Sequence, residues 1–299
     1  MIIFPLLYID GLESIVDKYD AYIVDLWGVV HDGVKTYPQV EDCLAELQQR
    51  GKKVYFLSNS PRRSRIIAEQ LDRLGIKPEH YNGLHTSGED AYETISQKVD
   101  PFYRQLGTKA YPLSLWMHSQ LFEDLNLTIV DQVEEASFIL NTGPEINQPE
   151  DFDDVLQKAF RLSLPMICVN PDVSVISGGK VTLCAGTVAA RYRDLGGVVK
   201  YHGKPYPDIY KNLLTKMGCI STGTQRILAI GDSLTTDIKG ANVMGIDAAL
   251  VLTGLSEQEF GFNASTRTRL EQTTKHKDIH PTYVLPAFRF QDIKPRRQI

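Results

Sequence analysis

The stretch Ala21-Tyr-Ile-Val-Asp25-Leu-Trp-Gly-Val-Val-His-Asp-Gly33 decides how the whole chain is read. Ala21 to Val24 is an apolar run without polar alternation, the pattern of a strand buried on both faces of a parallel sheet. The run ends on Asp25, and the glycines that follow predict a loop. Beyond it, Pro38 predicts the opening of a helix whose apolar residues Val40, Cys43, Leu44 and Leu47 fall at i, i+3, i+4 and i+7, closed by Gly51. Val54 to Leu57 predicts a second buried strand ending at Ser58. Ile66, Ile67, Leu71 and Leu74 mark a second helix, stopped by Gly75. Strand and helix alternating in this way predict an α/β fold: a parallel sheet with right-handed crossovers.

The same rhythm returns near the C-terminus. Ile227 to Ile230 predicts a strand ending at Gly231-Asp232, a helix follows from about Thr236, and Ala248 to Leu252 predicts another strand. Glu257 to Lys277 is polar and weakly periodic, read as a helix with a mobile loop, and Tyr283 to Leu285 as a last short strand. The middle carries its own elements: a helix near Leu113 to Leu125, a strand Ser137 to Asn141, a helix from Asp151, a strand Met166 to Asn170, a hairpin turn at Ser177 to Lys180 and a helix from Thr187. The expected organisation is a core of residues 1–87 and 199–299 with an α/β module, 88–198, inserted into it.

Composition excludes several roles. A net charge of −5 argues against a basic nucleic-acid-binding surface. No uncharged apolar run approaches the ~18 residues of a membrane span. Met1 to Tyr8 lacks the basic start of a signal peptide. Cys43, Cys168, Cys184 and Cys219 have no CxxC spacing, so they are expected to be reduced thiols in a cytoplasmic protein. The basic tail Lys294 to Arg297 is expected to be a solvated end.

Three strand ends deliver polar residues: Asp25, Ser58 and Asp232. In parallel α/β sheets ligands bind outside the carboxyl ends of the strands, so these three are expected around one crevice. Gly231-Asp-Ser-Leu-Thr-Thr-Asp237 adds a second aspartate, and Gly203-Lys-Pro-Tyr-Pro-Asp208 places Lys204 at a tight turn entering a helix. The set suits phosphoryl transfer. A carboxylate such as Asp25 can attack phosphorus. Carboxylates from two strand ends can hold Mg²⁺, which prefers oxygen ligands. Ser58 can hydrogen-bond phosphoryl oxygens and Lys204 can neutralise charge.

Each residue also has a plainer reading. Asp25 could serve a turn, Ser58 and Asn59 could cap a helix, and Lys204 could be a solvated surface lysine. Asp237 could be an acid favoured by a helix dipole. Arg62 and Arg63 either attract anions or begin a solvated helix, and Tyr111 and Trp116 suit a core.

The ordered set Asp25, Ser58, Lys204 and Asp232/Asp237 resembles the four motifs of the haloacid-dehalogenase-like hydrolases. Phe56-Leu-Ser-Asn59, Gly203-Lys-Pro205 and Gly231-Asp-Ser…Thr-Asp237 are similar to the class IIA, NagD-type branch, as are Thr86-Ser87, Asn170-Pro-Asp172 and Ala185-Gly-Thr187. The resemblance spans nearly the whole chain. It implies a Rossmann-like core with an inserted α/β cap, a small phosphorylated metabolite as substrate, Mg²⁺ as cofactor, and a homodimer formed through the cap. It implies catalytic roles for Asp25, Ser58, Lys204 and Asp232, and substrate contacts from Ser58, Asn59 and Lys204. Metal ligation falls to Asp25, Asp232, Asp237 and the backbone carbonyl of Trp27.

Trp27 departs from the family pattern Asp-x-Asp-Gly, in which the second aspartate is the general acid. An indole only donates a hydrogen bond, and a positioned general acid is typically worth about 10²–10⁴-fold. Three consequences stay open: a substrate with a good leaving group such as an acyl phosphate, a substitute acid at His31 or Asp32, or a phosphometabolite-binding or sensing protein with weak turnover. A dehalogenase would resemble this chain in having an aromatic residue at that position. Those enzymes, however, work without metal and lack paired aspartates such as Asp232 and Asp237.

Overall fold

The computed structural model describes residues 6–113, 121, 125–143, 148–177, 180–219, 226–261 and 263–291. From the N-terminus come β1 (Leu7–Tyr8), β2 (Ala21–Val24), α1 (Val40–Gln49), β3 (Lys53–Ser58), α2 (Ser64–Arg73), β4 (Gly83–Thr86) and α3 (Ser87–Gln97). The middle supplies α4 (Pro101–Gln105), β5 (Lys109–Pro112), β6 (Thr128–Ile129), β7 (Phe138–Asn141), α5 (Asp153–Arg161), β8 (Met166–Cys168), β9 (Ser174–Ser177), β10 (Lys180–Leu183), α6 (Ala185–Asp194) and β11 (Val199–Tyr201). The chain closes with α7 (Pro207–Lys216), β12 (Ile227–Gly231), α8 (Lys239–Val243), β13 (Asp247–Val251), α9 (Gly254–Phe260), α10 (Thr266–Lys277) and β14 (Tyr283–Leu285). No described helix is long and apolar enough to cross a membrane.

Contacts between Cα atoms divide the chain into two units. The first comprises Met1–Leu57, Gln70–Leu84 and Leu214–Ile299; the second comprises Ser58–Glu69 and His85–Leu213. In the first, the strands lie in the order β1-β14-β13-β12-β2-β3-β4. The pairings β1–β14, β14–β13, β13–β12, β12–β2 and β2–β3 are all parallel. This is a Rossmann-like α/β sheet. Burial at every residue of β2 explains its unbroken apolar run, because helices cover both faces of such a sheet. In the second unit β11-β8-β7-β5-β6 form another parallel sheet, and β9 and β10 pair as an antiparallel hairpin.

Some boundaries differ from expectation. Gln39 takes a left-handed conformation (φ 68°), so α1 begins at Val40, two residues after Pro38. The helix expected from Thr236 is instead one π-helical turn, Leu234–Ile238, running into α8. Glu257 to Lys277 divides into α9 and α10. Most of the expected helix near Leu113 to Leu125, including Trp116, lies outside the described residues, as do Gly178 and Gly179 of the hairpin turn and the basic tail.

One packing device occurs twice in the second unit. At Gly88 on α3 and Gly186 on α6, an added Cβ would collide with main-chain carbonyls of Pro61 and Arg62 in the first case and of Pro171 and Asp172 in the second. Each glycine N–H donates across the same gap, Gly88 to Ser60 O (3.0 Å) and Gly186 to Asp172 O (3.0 Å). Glycine is required because backbone meets backbone there.

Candidate active site

The first unit gathers three aspartates at the carboxyl ends of adjacent strands. Asp25 follows β2 and Asp232 follows β12, and the two strands pair in register, Val24 beside Ile230. The Asp25 N–H donates to Ile230 O at 2.9 Å, which continues the ladder one residue past the strand. Asp237 sits on the π-helical turn, where its Oδ2 accepts the Ser233 N–H at 3.1 Å. Asp25, Asp232 and Asp237 are 8, 4 and 4 % exposed. One carboxylate oxygen from each lies within 4.8 Å of those of the other two.

The loops around this trio leave no room for larger residues. At Gly28 (φ +84°) and Gly254 (φ +56°) an added Cβ would strike Asp232 Oδ2, and at Gly231 it would strike the Asp237 side chain. The loop after β13 supplies further support. Leu255 N–H donates to Asp232 Oδ2 at 2.7 Å, Ser256 Oγ donates to Asp232 O at 2.6 Å, and Thr253 Oγ1 donates to Gly28 O at 2.5 Å. Thr253 to Ser256 were not among the site residues expected from the sequence. The signal was present: Thr-Gly-Leu-Ser follows a fourth apolar strand, the same logic that identified Asp25.

Trp27 lies in a tight loop in which Gly28 N–H donates to His31 O and the N–H groups of Val30 and His31 both reach Leu26 O. Its ring meets the His31 ring edge-on, centroids 5.4 Å apart, and a Cβ at Gly33 would run into the indole. Neither neighbour proposed as a substitute acid is set up for that task. His31 is buried, its Nδ1 accepts the Gly33 N–H at 3.0 Å, and burial pushes its pKa down to about 4. A neutral imidazole is a very weak proton donor. Asp32 Oδ1 accepts the N–H groups of Val34 and Lys35, both at 2.9 Å. Partial burial acts to raise the Asp32 pKa, but these hydrogen bonds and the Lys35 charge hold it below the usual carboxylate range. Asp32 is a turn-forming carboxylate and is ionised at neutral pH.

Ser58, Asn59 and Lys204 belong to the second unit, and all three are buried. Ser58 ends β3, and its Oγ accepts the Ser60 N–H at 3.2 Å. Asn59 commits both ends of its amide. Its Oδ1 accepts the Lys204 N–H at 2.7 Å, and its Nδ2 donates to Lys204 O (3.0 Å) and to Asp172 Oδ1 (2.8 Å). Asn59, expected to touch substrate, also holds the Lys204 main chain. The turn itself has Gly203 at φ +127°, where a Cβ would strike Ser87 Oγ, Pro171 and Asn59 Oδ1. A cis peptide joins Lys204 to Pro205. Arg63 is structural: it pairs with both Glu89 carboxylate oxygens at 2.9 Å and stacks over the Tyr92 ring at 3.3 Å.

Comparison with known proteins gives a consistent picture. The family described as haloacid dehalogenase-like hydrolase matches residues 22–113, and a HAD-hydrolase-like family matches residues 201–289. The ribonucleotide monophosphatase NagD of Escherichia coli (strain K12) is 26% identical over 243 residues, 78% of this chain and 88% of that protein. Among solved structures, a haloacid dehalogenase-like hydrolase from Brucella suis 1330 superimposes with a TM-score of 0.78 at 29% identity, covering 93% of this chain and 99% of that one. Glycerol phosphate phosphatase Rv1692 from Mycobacterium tuberculosis, solved in complex with magnesium, superimposes with a TM-score of 0.63 at 20% identity, covering 90% and 75%.

Proposed function

Since the chain belongs to the haloacid-dehalogenase-like hydrolases, in their class IIA, NagD-type branch, we propose that it is a phosphatase of small phosphorylated metabolites that works through an aspartyl-phosphate on Asp25. The observation that carries this reading is the convergence of the buried Asp25, Asp232 and Asp237 carboxylates within 4.8 Å. Like charges this close and this buried are costly unless a cation lies among them. All-oxygen ligands suit Mg²⁺, and the magnesium-bound relative supports that choice. Asp25, Asp232, Asp237 and the Trp27 carbonyl would hold the ion, which when bound offsets repulsion between the Asp25 carboxylate and an anionic substrate.

The residues then divide the work. An Asp25 oxygen attacks phosphorus as the bond to the leaving oxygen breaks. Water later cleaves the resulting acyl phosphate and restores the carboxylate. Ser58 and Lys204 serve the phosphoryl oxygens, the hydroxyl by hydrogen bonding and the ammonium by charge. Residues 88–198 act as a cap that selects the substrate. Trp27 brings no proton, and His31 and Asp32 are both committed as acceptors within their loop. The substrate class that fits has a leaving group stable as an anion, above all an acyl phosphate.

The test is a screen with Mg²⁺ over acetyl phosphate, sugar phosphates, nucleotides and pyridoxal phosphate. Acetyl phosphate should turn over fastest, and Asp25→Asn should abolish turnover. Activity surviving in that variant removes Asp25 as nucleophile. Phosphate binding without turnover of any substrate would turn the reading into a sensing protein.

A further inference from the structure

Asp90, on α3, is a buried acid that the reaction above does not use. Its Oδ2 meets His202 Nδ1 at 2.6 Å, and its Oδ1 accepts Asn212 Nδ2 at 2.6 Å and faces His85 Nε2 at 3.3 Å. His202 immediately precedes Gly203, while Asn212 lies on α7, the helix that the Gly203–Tyr206 turn enters. A single carboxylate therefore holds both flanks of the turn that carries Lys204. The far side of the His202 ring is also fixed, with Nε2 at 2.8 Å from Tyr103 OH. A second link spans the turn: the Tyr201 and Tyr206 rings stack, centroids 4.6 Å apart and planes within 6°. Burial acts to raise the Asp90 pKa, but hydrogen bonds from His202, His85 and Asn212 outweigh it and keep the group ionised. An ionised carboxylate only accepts, so His202 Nδ1 is the donor.

We propose that Asp90 and His202 are positioning residues for Lys204, the buried carboxylate stapling His202 to Asn212 and so fixing the turn that presents the lysine. This deepens, and rests on, the reading of Lys204 as a phosphoryl-binding group. Exchanging a whole buried ionic network for well-packed apolar residues is often neutral for stability. A network of fully satisfied polar groups does, however, define one geometry. Positioning matters because a displacement of about 1 Å can cost a reaction about 10²-fold.

A double-mutant cycle of Asp90→Ala with Lys204→Met tests it, read out as kcat and KM for acetyl phosphate with Mg²⁺ and as affinity for inorganic phosphate. Asp90→Ala should lower kcat/KM by about 10²-fold in the natural background and by less than about threefold when Lys204 is already methionine, since the two act as one unit. Equal factors in both backgrounds overturn the proposal, because damage to the fold alone multiplies independently. If Asp90→Ala fails to fold, Asp90→Asn keeps the Oδ1 acceptor for Asn212. It should strip the proton from His202 Nδ1, visible in the ring ¹⁵N shifts, with a smaller loss coupled to Lys204 in the same way. Coupling in phosphate affinity without turnover in the unmodified protein leaves positioning intact and removes the phosphatase reading. Turnover with uncoupled effects removes positioning alone. Absence of both turnover and phosphate binding overturns both.

Discussion

Two sets of buried acid in this chain are built to opposite ends. Around Asp25, Asp232 and Asp237 the carboxylates face one another, and backbone N–H groups of Leu255 and Ser233 orient the latter two. Around Asp90 the carboxylate faces two imidazoles and an amide. The first arrangement gathers like charge toward a common point and suits a divalent cation. The second balances one charge with protein donors and suits a fixed loop. Burial alone therefore does not mark a catalytic acid; what the oxygens face does.

Replacement of Asp90 by leucine should break this comparison most visibly. It leaves His202, His85 and Asn212 without their shared acceptor, and each buried polar group left unsatisfied costs about 1–3 kcal/mol. Urea unfolding should show that loss with and without Mg²⁺ alike. A loss that disappears on adding Mg²⁺ would mean that Asp90 acts through the metal site.

The aspartate trio should behave the other way. Mg²⁺ at a hundred times its dissociation constant stabilises a native protein by about 2.7 kcal/mol. Asp237→Asn retains an oxygen to accept the Ser233 N–H while removing one charge. Its stability without Mg²⁺ should equal or exceed that of the natural protein, and most of the Mg²⁺-dependent rise in melting temperature should vanish. An undiminished rise would exclude Asp237 from the metal site.

The strands and the trio were legible because each rests on a local signal. β2, β3, β12 and β13 are short apolar runs ending in a polar residue or a glycine, and the ends of β2 and β12 supply Asp25 and Asp232. What could not be read were β5, four residues opening on Lys109, and β11, three residues interrupted by Lys200, which the second unit's sheet recruits through tertiary pairing. The π-helical turn was hidden too, because its sequence, Leu234-Thr-Thr-Asp-Ile238, has an ordinary helical composition. Asp90 gave no signal at all. Its partners lie 5, 112 and 122 residues away, and only the fold brings His202 and Asn212 to it.

The smallest difference between the two acid sets should appear at low pH. In the folded chain Asp90 titrates below the ordinary aspartate value of about 3.9. The unfolded chain therefore binds a proton here before the native one does. The stability this group contributes is fully present above that value and is lost as pH falls through it toward the folded one. His85, His202, Asn212 and, through His202, Tyr103 are the groups that face it, from the end of β4, the turn after β11, α7 and α4. Asp90→Asn has no proton to take up, so whatever its overall stability, its urea midpoint should fall less steeply below about pH 4 than that of the natural protein. Equal slopes would mean that Asp90 takes up its proton at the same pH folded and unfolded, so that His202, His85 and Asn212 do not favour its ionised form over the protonated one.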